Sequence, residues 1–249
     1  MNNPSLRALA ARQLSDYRAR RPGTFFAEPA ASALDLADAY AVQGEVASVR
    51  EAAVDVVAGY KIGCTGPRVI EQFGMDGPIR GFLFESEIHR SGAALSFAQY
   101  DHLAIEGEFA IRMGDDGEID RVFPVIELHN YVFRGPRPTL PELVANNGIH
   151  AGLVVPVREI EWSGASFAES VSIEVNGHVI QHGLSSDVPG GPAGSLAWLK
   201  SHLAAHGLTL RPRQLVLTGT PLGLIPVHPG DRVVVTTTRS SSVEARITP

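Results

Sequence analysis

The sequence predicts an α+β fold: a β-rich body preceded by a helical N-terminal part and interrupted by scattered helices. Two observations carry this. The first sixty residues are rich in Ala, Leu and Arg, with apolar residues at helical spacing. From Ala58 onward, short segments rich in β-branched and aromatic residues alternate with Gly, Pro and Asp punctuation. No internal repeat, low-complexity tract or long linker divides the chain. Residues 1–249 therefore read as one domain, helical over 1–57 and β-rich over 58–249.

In order along the chain, Ser5 to Arg20 reads as a helix stopped by Arg21-Pro22-Gly23. Ser32-Ala-Leu-Asp35 resembles a capping pattern and opens an amphipathic helix with Leu36, Ala39, Tyr40, Val46, Val49 and Val54 at helical spacing. Strands are expected over 59–64, 81–84, 103–113, 121–128, 150–157, 171–175, 178–181, 214–217, 231–238 and 243–248. Asn176-Gly177 marks a two-residue hairpin turn, because both residues tolerate positive φ, and Gly114-Asp-Asp-Gly117 marks another turn. Helices are expected at about 67–73, 141–146 and 194–206. Ser185 to Gly194 is a Gly/Pro/Ser stretch, read either as a lid or as a plain surface loop.

Bulk composition bounds the function. A hydrophobic fraction of 44% with 19% charged residues supports a sizeable core. The net charge of −6 and the lack of a basic stripe argue against a nucleic-acid partner. Cys64 is the single cysteine, so an intrachain disulfide and a zinc–thiolate site are excluded, and it reads as a small buried hydrophobe. No apolar run reaches membrane-spanning length and the N-terminus lacks a secretory layout, so a cytoplasmic protein away from membranes is expected.

The most informative stretch is Leu103-Ala-Ile-Glu-Gly-Glu-Phe-Ala-Ile-Arg-Met113. Leu103, Ile105, Phe109, Ile111 and Met113 share one face with Gly107, and Glu106, Glu108 and Arg112 share the other, the period of a half-buried strand. Two residues along a strand rise roughly 6.6 Å, and carboxylates so placed repel unless a cation or proton lies between them. Hard divalent cations prefer such oxygen ligands. Taken alone, Glu-x-Glu on a strand is more often solvated surface. Glu127 ends the apolar run Phe123-Pro-Val-Ile, one hairpin further on, and antiparallel pairing would bring it to Glu106 and Glu108. His129 is nominally on the same face. Lys61 sits in Gly59-Tyr-Lys-Ile-Gly63, either as an edge residue whose stem snorkels or as a cation in a cleft. Thr218 and Thr220, in Leu217-Thr-Gly-Thr-Pro-Leu-Gly223, offer hydroxyls and backbone N–H groups to a substrate carboxylate, or form an ordinary turn.

Taken together, Ala39-Tyr-Ala-Val-Gln43, Gly59-Tyr-Lys-Ile-Gly63 with Thr65, Gly81-Phe-Leu-Phe84, Glu106-Gly-Glu108, Val125-Ile-Glu-Leu128, Asn147, Ala197-Trp-Leu199 and Pro226-Val-His-Pro-Gly-Asp231 follow one order. The chain resembles the 2-keto-4-pentenoate hydratase branch of the fumarylacetoacetate hydrolase superfamily, which includes 2-oxohept-3-enedioate hydratase and 4-oxalocrotonate decarboxylase. The resemblance implies a β-rich roll of mixed sheets with flanking helices, assembled into a homo-oligomer. It implies Mg²⁺ or Mn²⁺ held by Glu106, Glu108 and Glu127, Lys61 as the catalytic lysine, and Thr65 and Asn147 beside the substrate. Two positions depart from the hydratase pattern: Asn130 and Asn146 stand where an Asp is common, and neither ionises.

The expected chemistry is that of a lyase, a hydratase or decarboxylase of a 2-oxo acid or its dienol. The metal would act as a Lewis acid toward an enolate, with Lys61 pairing the substrate carboxylate or moving a proton. C–C hydrolysis of an acylpyruvate-type substrate is the alternative within enzymes, with His129 and His150 as candidates to activate water. A catalytically silent small-molecule binding relative is the alternative outside them.

Overall fold

The computed structural model describes residues 3–20, 34–130, 138–164, 167–238 and 242–249. Its frame is the hairpin of β5 (Leu103–Met113) and β6 (Ile119–Asn130). The Gly114–Gly117 turn closes it, with the Gly114 N–H donating to the Glu118 carbonyl at 2.8 Å. Both strands are buried along nearly their whole length. This departs from the half-buried expectation: on the polar face of β5 Glu108 is fully enclosed and only Glu106 and Arg112 are partly exposed.

The remaining strands are β1 (Val57–Gly63), β2 (Ile79–Phe84), β3 (Ile88–Arg90), β4 (Ala93–Ser96), β7 (His150–Val155), β8 (Ile160–Glu161), β9 (Ser170–Val175), β10 (His178–Leu184), β11 (Leu215–Leu217), β12 (Ile225–Pro226), β13 (Arg232–Thr237) and β14 (Ser242–Thr248). Among the described residues they form two sheets. The larger runs β2-β1-β11-β5-β6-β7-β3, with β12 beside β5 and β8 beside β6; the smaller runs β10-β9-β13-β14-β4. The pairs β1–β11, β3–β7 and β4–β14 are parallel and the rest antiparallel, so the sheets are mixed. Short β11, from late in the chain, lies between β1 and β5.

The two sheets pack through Ile105, Phe109 and Ile111 of β5 against Val171, Ile173, Val233 and Val235. At Gly107 the packing is tight: a Cβ there would lie 2.7 Å from Ile173 Cγ1. Its missing side chain therefore serves sheet packing and not a ligand. On the opposite face of the large sheet, Leu83, Ala110, Phe123, Val125, Leu153 and Leu217 form an apolar plug.

Five helices complete the described chain: α1 (Asn3–Arg18), α2 (Leu36–Ala52), α3 (Pro67–Phe73), α4 (Leu140–Ala145) and α5 (Gly191–Ala205). Asp35 caps α2, accepting the Asp38 N–H at 2.8 Å. Ser32 and the Arg21-Pro22-Gly23 stop lie outside the described residues. Thr139 and Glu142 cap α4 reciprocally. The N-terminal helices are tied to the body by polar contacts that span the sequence. Gln13 Nε2 donates to Asn146 Oδ1 at 2.9 Å, Gln43 Nε2 to the Val144 carbonyl at 2.8 Å, and the Tyr17 hydroxyl to the His150 carbonyl at 3.3 Å. The Asn176-Gly177 hairpin has the expected positive φ at both residues. Ser185–Asp187 is a short 3₁₀ turn whose Ser185 N–H donates to the Glu169 carbonyl at 2.8 Å, and Val188-Pro-Gly190 links it to α5. That hydrogen bond ties the start of the Ser185–Gly194 stretch to Glu169. No described helix is long and apolar enough to cross a membrane.

Candidate functional site

Register builds the site. In the β5–β6 ladder Glu106 stands directly opposite Glu127, Ala104 opposite His129 and Glu108 opposite Val125. Because side chains alternate with period two, Glu106, Glu108, Glu127 and His129 share one face. β1 adds Lys61, joined to β5 across β11 through the Lys61–Leu217 and Leu217–Ala110 pairs.

The side chains converge. Lys61 Nζ lies 3.2 Å from Glu127 Oε1, and His129 Nε2 lies 3.1 Å from Glu106 Oε2 and 3.4 Å from Glu127 Oε2. Ligand atoms of Glu106, Glu127 and His129 all fall within 4.8 Å of one another. Glu108 is 0% exposed, and neither of its carboxylate oxygens has a hydrogen-bond partner among the described residues. A buried carboxylate without a donor is costly. Burial, then Glu127 and Glu106, pushes the Glu108 carboxyl well above the usual carboxylate range. Burial would raise Glu127 too, but Lys61 and His129 outweigh it and hold that carboxyl well below the range. Burial opposes the charge on Lys61, and the three glutamates reverse this and raise its pKa. His129 is treated alike: burial lowers it, Glu127 and Glu106 raise it, and the balance is about 9. The lysine is therefore held as a cation, which suits pairing with a substrate anion better than accepting a proton.

His150 enters by an irregularity. The β6–β7 register shifts between Leu128 and His129, so that His129 stands opposite His150. Strict alternation from Leu153, which faces Glu127, would have turned His150 away; the bulge re-aims it. Its Nδ1 lies 2.7 Å from Glu127 Oε1. On its other side it borders a cavity of about 20 Å³ beside Tyr17 and Asn146, close to the room of one water.

The acidic cluster opens into a cavity of about 420 Å³ lined by Lys61, Glu106, His129, Thr65 and Thr220 and by apolar side chains from α3, α4 and the loop following Thr220. Thr220 Oγ1 donates to the Gly107 carbonyl at 2.8 Å and accepts the Leu222 N–H at 2.9 Å, shaping that loop. Two expected substrate contacts fall elsewhere. The Thr218 hydroxyl is buried and donates to the Phe109 carbonyl at 2.9 Å, outside the cavity lining. The Asn147 side chain is spent on Phe82, accepting its N–H at 2.7 Å and donating to its carbonyl at 2.8 Å. That clamp sets the Asn147–Ile149 turn, whose Gly148 and Ile149 reach the cavity. Both altered asparagines are also structural: Asn130 Oδ1 accepts the Asp101 N–H at 2.8 Å, and Asn146 joins Gln13 to the Glu142 carbonyl. Cys64 is half-buried at the cavity wall and not in the core, its thiol pushed up to about 11 chiefly by burial.

The cluster fits a divalent cation on its own terms. Glu108 lacks a donor, two further carboxylates and an imidazole converge beside it, and hard oxygen donors predominate. Curled mixed sheets around an acidic floor define a class of proteins, and the comparisons agree with it. Residues 149–248 match the family described as fumarylacetoacetate (FAA) hydrolase C-terminal. The fold matches that of 4-oxalocrotonate decarboxylase from Pseudomonas putida G7, complexed with magnesium and adipate, with a TM-score of 0.92 and 25% identity over 99% of this chain and 98% of that one. In sequence the chain is 29% identical to a 4-oxalocrotonate decarboxylase of Pseudomonas sp. (strain CF600) over 230 residues, 86% of each. It is 28% identical to a 2-hydroxyhexa-2,4-dienoate hydratase of Comamonas testosteroni over 210 residues, 78% of this chain and 80% of the other. The resemblance drawn from the sequence therefore agrees with these findings: residues 149–248 match the FAA hydrolase C-terminal family, and the similar proteins are named as decarboxylases and hydratases.

Proposed function

We propose that this protein is a divalent-metal-dependent lyase, a hydratase or decarboxylase acting on a 2-oxo acid or its dienol tautomer. The observation that carries this is the convergence of Glu106, Glu127 and His129 beside the wholly buried Glu108, with Lys61 against Glu127 and with Glu106, His129 and Lys61 lining a 420 Å³ cavity. Glu106 and Glu127 would hold Mg²⁺ or Mn²⁺ together with Glu108, which is buried beside them; the ligand atoms that lie within 4.8 Å of one another are those of Glu106, Glu127 and His129. When bound, the cation supplies Lewis acidity to a 2-oxo acid that chelates it through its carboxylate and oxo oxygens.

The chain's own residues supply the rest. The Lys61 ammonium holds the acid end of the substrate and neutralises charge at the oxo oxygen. His150 orients Glu127 through its Nδ1 contact, as partners of ligating carboxylates do. The apolar plug beneath Glu108 and Glu127 excludes water and strengthens each electrostatic contact above it. Thr65 and Thr220 stand at the wall, within the cavity a substrate would fill. A cytoplasmic homo-oligomer suits the reading. The lone cysteine needs no oxidising compartment, and Val179, Ile180 and Leu184 on edge strand β10 are exposed apolar residues.

The test compares chelator-treated and Mg²⁺- or Mn²⁺-restored protein on a 2-hydroxy-2,4-dienoate, following loss of dienol absorbance, and follows exchange of 2-oxo acid C3 protons into D₂O by NMR. Metal-restored activity in either assay is the expected result. Metal binding with neither activity would favour a silent binding relative.

A further inference from the structure

The stem of Lys61 runs between three glycines. In the β1–β2 ladder Gly81 stands directly opposite Lys61, and Gly63 follows two residues along β1 on the same face. Leu217 of β11 flanks the lysine on its other side. Gly148, in the Asn147–Ile149 turn, closes over it. A Cβ on Gly148 would lie 2.8 Å from Lys61 Cε, one on Gly81 3.1 Å from Lys61 Cγ, and one on Gly63 3.2 Å from Lys61 Nζ. All three approaches are tighter than ordinary van der Waals contact, so a side chain at any of them would press on the lysine. The ammonium at the end of this path lies 3.2 Å from Glu127 Oε1.

The turn that closes over the stem has an uncommon backbone. Asn147, Gly148 and Ile149 have φ of 58°, 60° and 58°. For a β-branched residue such as Ile149 that region is strained, and it persists only where the surroundings impose it. Here the Asn147 side chain imposes it, clamped to both backbone groups of Phe82, the neighbour of Gly81. β1, β2 and the turn are thus locked around one side chain. Lysine carries a flexible four-carbon stem that samples many rotamers when free; this enclosure leaves it little room to do so.

We propose that Gly63, Gly81 and Gly148 are positioning residues, a sleeve that fixes the Lys61 ammonium where negative charge develops on the substrate oxo oxygen. The inference rests on the lyase reading above and deepens it: the reaction needs the ammonium in this place, and its charge alone does not suffice.

The test uses Gly63→Ala. Of the three glycines only Gly148 has positive φ, so alanine at 63 adds a methyl without backbone strain. That methyl meets the flexible end of Lys61, which must give by a few tenths of an ångström, and meets Ile79 Cγ1 at an ordinary 3.6 Å. Oxalate, a dianion like the enolate of a 2-oxo acid, is titrated calorimetrically into Mg²⁺-loaded protein. Exchange of 2-oxobutanoate C3 protons into D₂O is followed by NMR. Gly63→Ala should weaken oxalate binding about tenfold and lower kcat about tenfold with KM nearly unchanged, since misplacement by 1 Å can cost about 10²-fold. Melting temperature and Mg²⁺ affinity should not move. In a Lys61→Met background, where the side chain ends short of Nζ, adding Gly63→Ala should change oxalate affinity by less than about twofold. Lys61→Arg should bind oxalate no better than Lys61→Met, because the planar guanidinium is too broad for the sleeve. Full oxalate affinity in folded Gly63→Ala protein, or a tight-binding Lys61→Arg, overturns the proposal. So does an undiminished effect of Gly63→Ala in the Lys61→Met background, which would mean that the glycine serves the fold and not the lysine. Oxalate binding that weakens as expected, with neither exchange nor dienol hydration, leaves the sleeve standing and overturns the lyase reading. Wild-type protein that binds Mg²⁺ but no oxalate overturns both.

Discussion

At the scale of single residues, Glu108 and Lys61 carry most of the argument and are separable by substitution. Glu108 sits wholly buried with no donor, so it stabilises the fold little until a cation arrives. Glu108→Gln should raise the melting temperature of chelator-treated protein and shrink the rise on adding Mg²⁺; a variant that keeps the full rise would remove Glu108 from the ligand set. Lys61→Met should keep the fold while turnover drops by about 10²-fold or more, the scale of lost general acid–base or charge-stabilising help. Near-normal turnover would reduce Lys61 to a packing role. The glutamates and the lysine were legible in the sequence because strict alternation along β5 and β6 fixes which side chains share a face. His150 was read only as a candidate to activate water, and its contact with Glu127 was not foreseen, since the bulge beside His129 that turns it inward reverses the parity an alternating pattern implies. Asn147 read as a substrate contact from the family resemblance and Thr218 from its Thr-Gly-Thr-Pro turn, and only the fold shows their side chains hydrogen-bonded to Phe82 and Phe109.

At the scale of elements, β5 serves two masters: one face presents the carboxylates and the other meets the second sheet at Gly107. Gly107→Val would drive carbon into Ile173 and Val235. It should cost about 1–3 kcal/mol in urea unfolding, typical of overpacking, and Ile173→Ala should recover part of the loss in the double variant. Helix α5 makes a different prediction. Its His202 stacks on Trp198 at 4.8 Å and meets His206 at 4.3 Å. Burial first, then His206 and Arg80, lowers its pKa to about 4. The unfolded imidazole binds its proton below about 6.5. The unfolded state therefore holds more protons between those values, and stability falls as pH drops through that window. His202→Phe should flatten the melting-temperature profile between pH 6.5 and 4; an unchanged slope would assign it to other groups. Long, strongly patterned elements such as β5, β6 and α2 were legible from sequence. The three- and four-residue β3 and β4 were not, because parallel partners far along the chain, β7 and β14, decide their existence and local alternation does not.

At the scale of the whole molecule, the metal, the cavity and the fold should respond together. If the acidic floor binds a cation, Mg²⁺ at one hundred times its dissociation constant should add about 2.7 kcal/mol to unfolding, read as a concentration-dependent rise in melting temperature that a chelator reverses. A melting temperature indifferent to every divalent ion would end the metal reading. The placement of β11 also sets a timetable. Lys61 leaves the ribosome before the glutamates, yet the strand that joins its sheet position to theirs is Leu215–Leu217. At about 5–20 residues per second, the β5–β6 hairpin waits on the order of ten seconds for that wedge. The nascent chain carries its acidic cluster for this interval without its lysine, and the cavity is among the last things the chain completes.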